Sequence, residues 1–293
     1  MRPLIVLVLL ALMAIGAQAL DQNDSKAWYE KGNQLFQNGS YQEAVKSYDQ
    51  AVAINPDYDN AWNNRGFVLD RMGKFDDALK SYQKALNIDP EFIAAWLNMG
   101  STLTNMGRYN DSLLAYDQAI SIDPKYVKAW NNKGLTLDKM ARYDEAVNCF
   151  DKAIELNPDF AYAWNNKGSA LASLGKFEDA LSSYDQAIQI DSKFAYAWSN
   201  KGYALNALKR YDEAVECFNK AIQLNPQLQD AQKGKGIALQ GIESGLGSGE
   251  SEPGSSASSA DPAVAPLSSS NDKQSSALAL ANEALSRAKS KNR

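Results

Sequence analysis

AWNNKG stands at Ala129–Gly134 and again, unchanged, at Ala163–Gly168, with AWNNRG at Ala61–Gly66 and AWSNKG at Ala197–Gly202. Consecutive copies lie 34 residues apart or twice that. Tryptophan carries the same frame further, at Trp28, Trp62, Trp96, Trp130, Trp164 and Trp198. With tryptophan as position 4 of the unit, glycine fills position 8 (Gly32, Gly66, Gly100, Gly134, Gly168, Gly202) and leucine position 11 (Leu35, Leu69, Leu103, Leu137, Leu171, Leu205). An aromatic fills position 24 (Tyr48, Tyr82, Tyr116, Phe150, Tyr184, Phe218). Alanine holds position 27 throughout and position 20 except at Ser112, and proline closes position 32 except at Ser192. Strict recurrence at this length marks a chain built from stacked supersecondary units.

The unit itself divides into two helices. Positions 4, 8 and 11 share one helical stripe, and positions 20, 24, 27 and 28 share another. Small residues at 8, 20 and 27 let the two helices approach, and the rings at 4 and 24 fill the space left. Glycine at position 15 in four units (Gly39, Gly73, Gly107, Gly175) suits the left-handed residue that ends a helix. Position 16 is basic in five units and position 19 acidic in all six, the signs that favour a helix end followed by a helix start. Asn-Pro or Asp-Pro then stops the second helix. Each unit is expected to be a helical hairpin that stacks because it cannot bury its apolar face alone.

These residues resemble the tetratricopeptide repeat (TPR) family, whose signature is Trp at 4, Gly at 8, Ala at 20, an aromatic at 24 and Pro at 32. The resemblance implies an all-α fold, a superhelical solenoid of antiparallel helix hairpins. It spans six repeats at 25–58, 59–92, 93–126, 127–160, 161–194 and 195–228. Two positions depart from the family pattern. Position 11 is leucine instead of tyrosine, and position 7, usually leucine, is Lys31, Arg65, Met99, Lys133, Lys167 and Lys201. Residues 229–241 keep the frame through Gly236 and Leu239 but place Gln232 where tryptophan belongs, as a polar capping helix would. A Gly/Ser/Pro-rich linker is expected over 242–274. The basic stretch 275–293 gathers Leu278, Ala281 and Leu285 on one helical face. It has two readings, a docking helix or an idle tail, and the second is favoured.

The chain of 293 residues carries a formal net charge of −5, which offers no footprint for a polyanion, so no nucleic acid is expected as partner. It contains no histidine, the commonest general base and transition-metal ligand. Cys149 and Cys217 are too few for a disulfide scaffold or a four-cysteine zinc site. Lying two units apart, they are also expected to remain free, because a bridge needs Cα atoms within about 7 Å. Acidic pairs such as Asp76-Asp77 and Asp144-Glu145 recur as helix starts, and QKGKGIALQG lacks the strand and third glycine of a nucleotide loop. No enzyme activity, metal or cofactor is expected. Asn23, Asn38 and Asn110 head N-x-Ser sequons.

MRPLIVLVLLALMAIGAQAL opens with one positive charge and an uncharged apolar run from Leu4 to Ala17. The run is shorter than the roughly 20 residues that span a bilayer, and Ala17-Gln18-Ala19 supplies a small-x-small cleavage pattern. A cleaved signal peptide over 1–19 is expected, with an uncleaved membrane anchor as the alternative. It implies a secreted or cell-envelope protein with no membrane span after removal.

At about 100° per residue, positions 2, 5, 6, 9, 12 and 13 fall opposite the wall formed by positions 4, 8 and 11. In TPR arrays that side of the first helix lines the concave groove. Position 6 there gives Asn64, Asn98, Asn132, Asn166 and Asn200, and position 5 adds Asn63, Asn131 and Asn165. An amide offers donors and an acceptor together, so such a row suits an extended peptide backbone. It resembles the asparagine ladder in the TPR arm of O-linked sugar transferases. The same row has a plainer reading, as bracing between neighbouring repeats. Tyr29, Phe36, Phe67, Tyr162, Tyr196 and Tyr203 add aromatic anchors. The basic clamp at positions 5 and 9 that receptors for chaperone tails use is missing: those positions read Tyr29 and Asn33, Asn63 and Phe67, Leu97 and Ser101, Asn131 and Leu135. The expected function is an exported interaction scaffold that takes a peptide or partner protein in its groove. The alternatives are the binding arm of an enzyme or envelope assembly, or a structural module that oligomerises through its end faces.

Overall fold

The computed structural model describes residues 24–245. The expected signal peptide, the linker beyond 245 and the basic stretch 275–293 lie outside them. Thirteen helices and no strand make up the described residues. In chain order they are α1 (Ser25–Gln37), α2 (Tyr41–Ile54), α3 (Asp59–Arg71), α4 (Phe75–Ile88), α5 (Ile93–Asn105), α6 (Tyr109–Ile122) and α7 (Val127–Lys139). There follow α8 (Tyr143–Leu156), α9 (Ala161–Ser173), α10 (Phe177–Ile190), α11 (Ala195–Ala207), α12 (Tyr211–Leu224) and α13 (Gln229–Glu243). The last runs two residues beyond the expected cap, as far as Glu243. The described residues form two compact units, one ending at Asp111 and one beginning at Ser112, inside α6.

Within a hairpin the glycine at position 8 decides how closely the helices approach. A Cβ on Gly32 or Gly66 would stand 2.6 Å from the ring of Tyr48 or Tyr82, and one on Gly134 or Gly168 the same distance from Phe150 or Tyr184. No Cβ tolerates that contact, so the glycine is the seat of the ring. Ala44, Ala78, Ala146, Ala180 and Ala214 at position 20 are wholly buried beside it.

The turn between the two helices closes on a left-handed residue. Gly39, Gly73 and Gly175 have φ of 78°, 74° and 75°, and Ala141 and Lys209 hold the same place at 57° and 60°. Side chains at such angles cost roughly 1–2 kcal/mol each. The turn survives there because its backbone bonds remain, such as Arg142 N–H to the Leu137 carbonyl at 2.9 Å. The arginines at position 16 cannot accept a bond and so do not cap the second helices. Arg142 and Arg210 instead fork onto Glu145 and Glu213, with N–O distances of 2.6 and 2.7 Å.

Between repeats, the side chain at position 31 accepts a backbone N–H two residues on, as in Asp89 to Glu91 N–H at 2.9 Å. The carbonyl of position 32 then accepts the indole N–H of the next unit: Pro56 from Trp62, Pro124 from Trp130 and Pro158 from Trp164, each at 2.9 Å. Trp198 makes the same bond to the Ser192 carbonyl at 3.1 Å, and Gln232 Nε2 makes it to Pro226 at 2.9 Å. The backbone carbonyl is the functional part of position 32, which is why serine substitutes there. The tryptophan rings lie less deep than their wall position implies. Trp96 is buried, but Trp28, Trp62, Trp130, Trp164 and Trp198 are half-buried. They sit at the hairpin edge, where Lys31, Arg65, Lys133 and Lys167 lie 4.7–5.9 Å from the ring centroids.

The cations at position 7 bridge successive repeats. Arg65 pairs with Asp49, Lys133 with Asp117 and Lys167 with Asp151, all at 2.6 Å, and Lys201 pairs with Asp185. Cys149 and Cys217 are buried and free. Burial pushes both thiols up to about 11, which keeps them protonated and poorly nucleophilic at neutral pH.

Candidate peptide-binding face

Within each compact unit the first helices of consecutive repeats lie side by side, and position 5 faces the seam between them. Asn63, Asn131 and Asn165 are therefore buried, 7%, 6% and 7% exposed, and not on the open face where the angular reading put them. That reading measured angles against the partner helix of the same hairpin and left out the neighbouring repeat. Position 6 remains half-exposed at Asn64, Asn98, Asn132, Asn166 and Asn200.

The two positions form ladders inside each unit. In the first, Asn98 Nδ2 donates to Asn63 Oδ1 at 3.0 Å, and Asn63 Nδ2 donates to Asn64 Oδ1 at 3.2 Å. Asn64 Nδ2 also donates to Asn33 Oδ1 and to the Tyr29 hydroxyl, both at 3.0 Å. In the second, Asn166 donates to Asn131 Oδ1 at 3.0 Å and Asn200 to Asn165 Oδ1 at 2.9 Å. Asn131 and Asn165 donate in turn to Asn132 and Asn166 at 3.3 Å. Asn166→Ala is expected to cost roughly 1–3 kcal/mol of stability, because it strips the buried Asn131 oxygen of its donor. Urea unfolding checks it; an unchanged midpoint would mean the rung does not brace the seam.

The aromatic residues divide in the same way. Tyr29 packs against Tyr58 and Tyr48, centroids 5.0 and 6.0 Å away, and accepts from Asn64, so it braces the first unit. Phe67 is 37% exposed and meets Phe36 edge-on at 5.5 Å. With Asn33, Tyr48 and Asn64 these rings line a cleft of about 340 Å³. Tyr203 leans on Phe218 at 5.2 Å and donates to the Asp230 carbonyl, which ties α11 to α13. Tyr162 and Tyr196 are the most exposed large hydrophobic side chains among the described residues, at 59% and 56%. They stand one repeat apart at position 2, on the side of the second unit where position 6 is open.

Phe160 and Phe194 support Tyr162 and were not among the sequence candidates. Tyr162 lies 5.8 Å from Phe160 and 4.9 Å from Phe194, ring to ring. The signal was available: position 34 is aromatic in five units, Tyr58, Phe92, Tyr126, Phe160 and Phe194. Carboxylates at position 12 differ between the units. Asp70 accepts from Thr102 Oγ1 at 2.6 Å, whereas Asp138 Oδ1 is buried with no partner, and burial raises its carboxyl above the ordinary range. The equivalent of Thr102 in the following repeat is Ala170, which has no hydroxyl to offer.

Among the described residues no three His, Cys, Asp or Glu side chains converge as a metal site would require. No helix among them is long and apolar enough to cross a membrane.

The tetratricopeptide repeat model matches residues 60–92, 93–126, 127–160, 161–194 and 195–228, and a second TPR repeat model matches 32–73. Among solved structures, MamA is 26% identical, over 58% of this chain and 92% of that one, with a TM-score of 0.50. YrrB, described as a TPR protein with an unusual peptide-binding site, is 23% identical over 66% of this chain and 99% of that one, TM-score 0.51. PilW, described as a widely conserved type IV pilus biogenesis factor, is 22% identical over 71% and 97%, TM-score 0.64. At those identities the last two bear on the fold alone. A search of curated protein sequences finds no match.

Proposed function

The chain belongs to the tetratricopeptide repeat family, and from that premise we propose that it is an exported, non-catalytic interaction scaffold that holds an extended peptide of a partner protein along repeats 4 to 6. One observation carries this reading: Tyr162 and Tyr196 stand more than half exposed, one repeat apart, and Tyr162 is held between the rings of Phe160 and Phe194. Tyrosine is among the residue types enriched at binding hot spots. Beside it, Asn166 donates to Asn131 and accepts from Asn165, and Asn200 donates to Asn165 and Ser169. Both are half-exposed, and a carboxamide has two N–H donors and two oxygen lone pairs, which leaves capacity for a ligand. The tyrosines supply affinity, and the amides hold the peptide backbone with little regard for its side chains.

Photo-crosslinking tests the surface. A benzoylphenylalanine at position 162 or 196 is expected to capture a partner, and one at Lys152 on a second helix is not. Tyr162→Ala with Tyr196→Ala is expected to weaken capture by roughly tenfold or more, at a cost of about 1–3 kcal/mol of stability for the two ring contacts of Tyr162 that leaves the array folded. Equal capture from all three positions would overturn the reading. Export has its own check: the mature chain is expected to begin at Leu20, and N-terminal sequencing that finds Met1 on the membrane-bound protein would refute it.

A further inference from the structure

α13 keeps one face uncovered. At about 100° per residue, Lys235, Gly236, Ile242 and Glu243 all lie within roughly 60° of Leu239 around the helix. Leu239 is 42% exposed and Ile242 39%, whereas Leu69, Leu137, Leu171 and Leu205, the leucines of the same position, are at most 7% exposed. At Gly236 nothing stands within 4 Å of an added Cβ, while at Gly134, Gly168 and Gly202 that atom would meet a ring at 2.6–2.8 Å. Ala231, Gly234, Ala238 and Gly241 are buried on the side that packs into the second unit. The charges on the open face are unpaired as well. At position 7, Arg65, Lys133, Lys167 and Lys201 each pair with an aspartate of the preceding repeat. Lys235 holds that position in α13, but Asn219 stands where the aspartate would be. Neither Lys235 nor Glu243 forms an ion pair among the described residues.

A lysine and a glutamate placed symmetrically about an exposed leucine make this face complementary to itself. Lys235 lies four residues before Leu239 and Glu243 four after it. When two such helices meet antiparallel about a two-fold axis at Leu239, each residue before Leu239 comes level with its counterpart after Leu239 in the other copy. Leu239 then packs on Leu239, and Lys235 of each copy comes level with Glu243 of the other. One surface thus supplies an apolar centre and both halves of two ion pairs, as an isologous contact requires. Gly236 leaves the second helix room to approach, and Ile242 adds apolar area beside Leu239. A parallel pair would instead set lysine against lysine and glutamate against glutamate, which repel.

We propose that the chain forms a two-fold dimer through this face of α13, with a second copy of itself as the occupant. The contact spans only a few turns of one helix, less than a permanent interface buries. It therefore forms reversibly, with a dissociation constant on the order of 10–100 μM. The dimer does not depend on the groove. It carries the Tyr162–Tyr196 face twice, so a partner that repeats its segment is held at both.

Sedimentation equilibrium of the purified full chain, over concentrations that bracket this constant, tests the proposal. Lys235→Glu is expected to raise the dissociation constant roughly tenfold or more. Combining it with Glu243→Lys is expected to restore association, because the exchanged charges meet again across the axis. Leu239→Asp should leave a monomer. Leu239→Cys is expected to give a disulfide-linked dimer on mild oxidation, and Gln240→Cys, which points away from the axis, is not; the native Cys149 and Cys217 are buried. A chain that stays monomeric at every concentration would overturn the dimer and leave the face to another protein or to another part of the same chain. Association that Lys235→Glu leaves unchanged, or that the double exchange fails to restore, would place the contact on another surface and overturn it too.

Discussion

Phe150→Ala is expected to cost about 3–5 kcal/mol, the loss that follows when a fully buried aromatic side chain is deleted and its cavity does not close. The Phe150 ring is wholly buried. It lies on Gly134 across the hairpin and shares a core with Leu137, Ala146, Cys149 and Ala170. Ala170 belongs to the next repeat, so the damage is expected to pass from α8 to α9. Repeat arrays are stabilised by neighbour contacts, and losing one hairpin weakens the hairpin stacked on it. Trp130→Ala is the comparison. Its half-buried ring leaves a cavity open to solvent, and the loss is expected to be smaller than for Phe150. Urea unfolding followed by circular dichroism measures both. Equal losses would mean that position 24 does not form the centre of the hairpin.

Gly168→Val is expected to destabilise by about 3 kcal/mol, the upper end of what overpacking usually costs. Its Cβ would stand 2.6 Å from Tyr184 Cε1 and 2.8 Å from Cδ1. The ring cannot swing aside freely, because the Tyr184 hydroxyl donates to Ser169 Oγ at 3.3 Å. Combining Gly168→Val with Tyr184→Leu moves volume from one helix to the other and is expected to recover a large part of the loss. Such non-additivity is the signature of two residues in contact. Purely additive losses would place the clash elsewhere.

These two predictions use positions that the sequence determined by itself. The 34-residue recurrence marks where each hairpin starts. Within a hairpin the stripes of positions 8, 11, 20, 24 and 27 follow from about 100° per residue, a local property of each helix. The glycine at position 15 and the proline that follows Asn or Asp follow from local backbone geometry as well. All of these were legible because each depends on residues less than one repeat apart.

Tertiary structure decided what lies between repeats. Asn63, Asn131 and Asn165 looked solvent-facing because a single helical wheel has no neighbour in it; the adjacent repeat covers them. Tyr29 and Tyr203 became braces in the same way, one held by Asn64 and the other holding Asp230. The pairing of position 25 with position 7 was written in the chain, since Gln83 in place of aspartate comes with Met99 in place of a cation. It becomes an interaction only when stacking brings residues 16 apart to within 2.6 Å, as for Asp49 and Arg65. Tyr162 and Tyr196 kept the exposure that their angle implied, because no neighbouring helix packs over position 2. A period fixes each unit's own geometry, but which of its polar side chains stay free depends on how closely the next unit approaches.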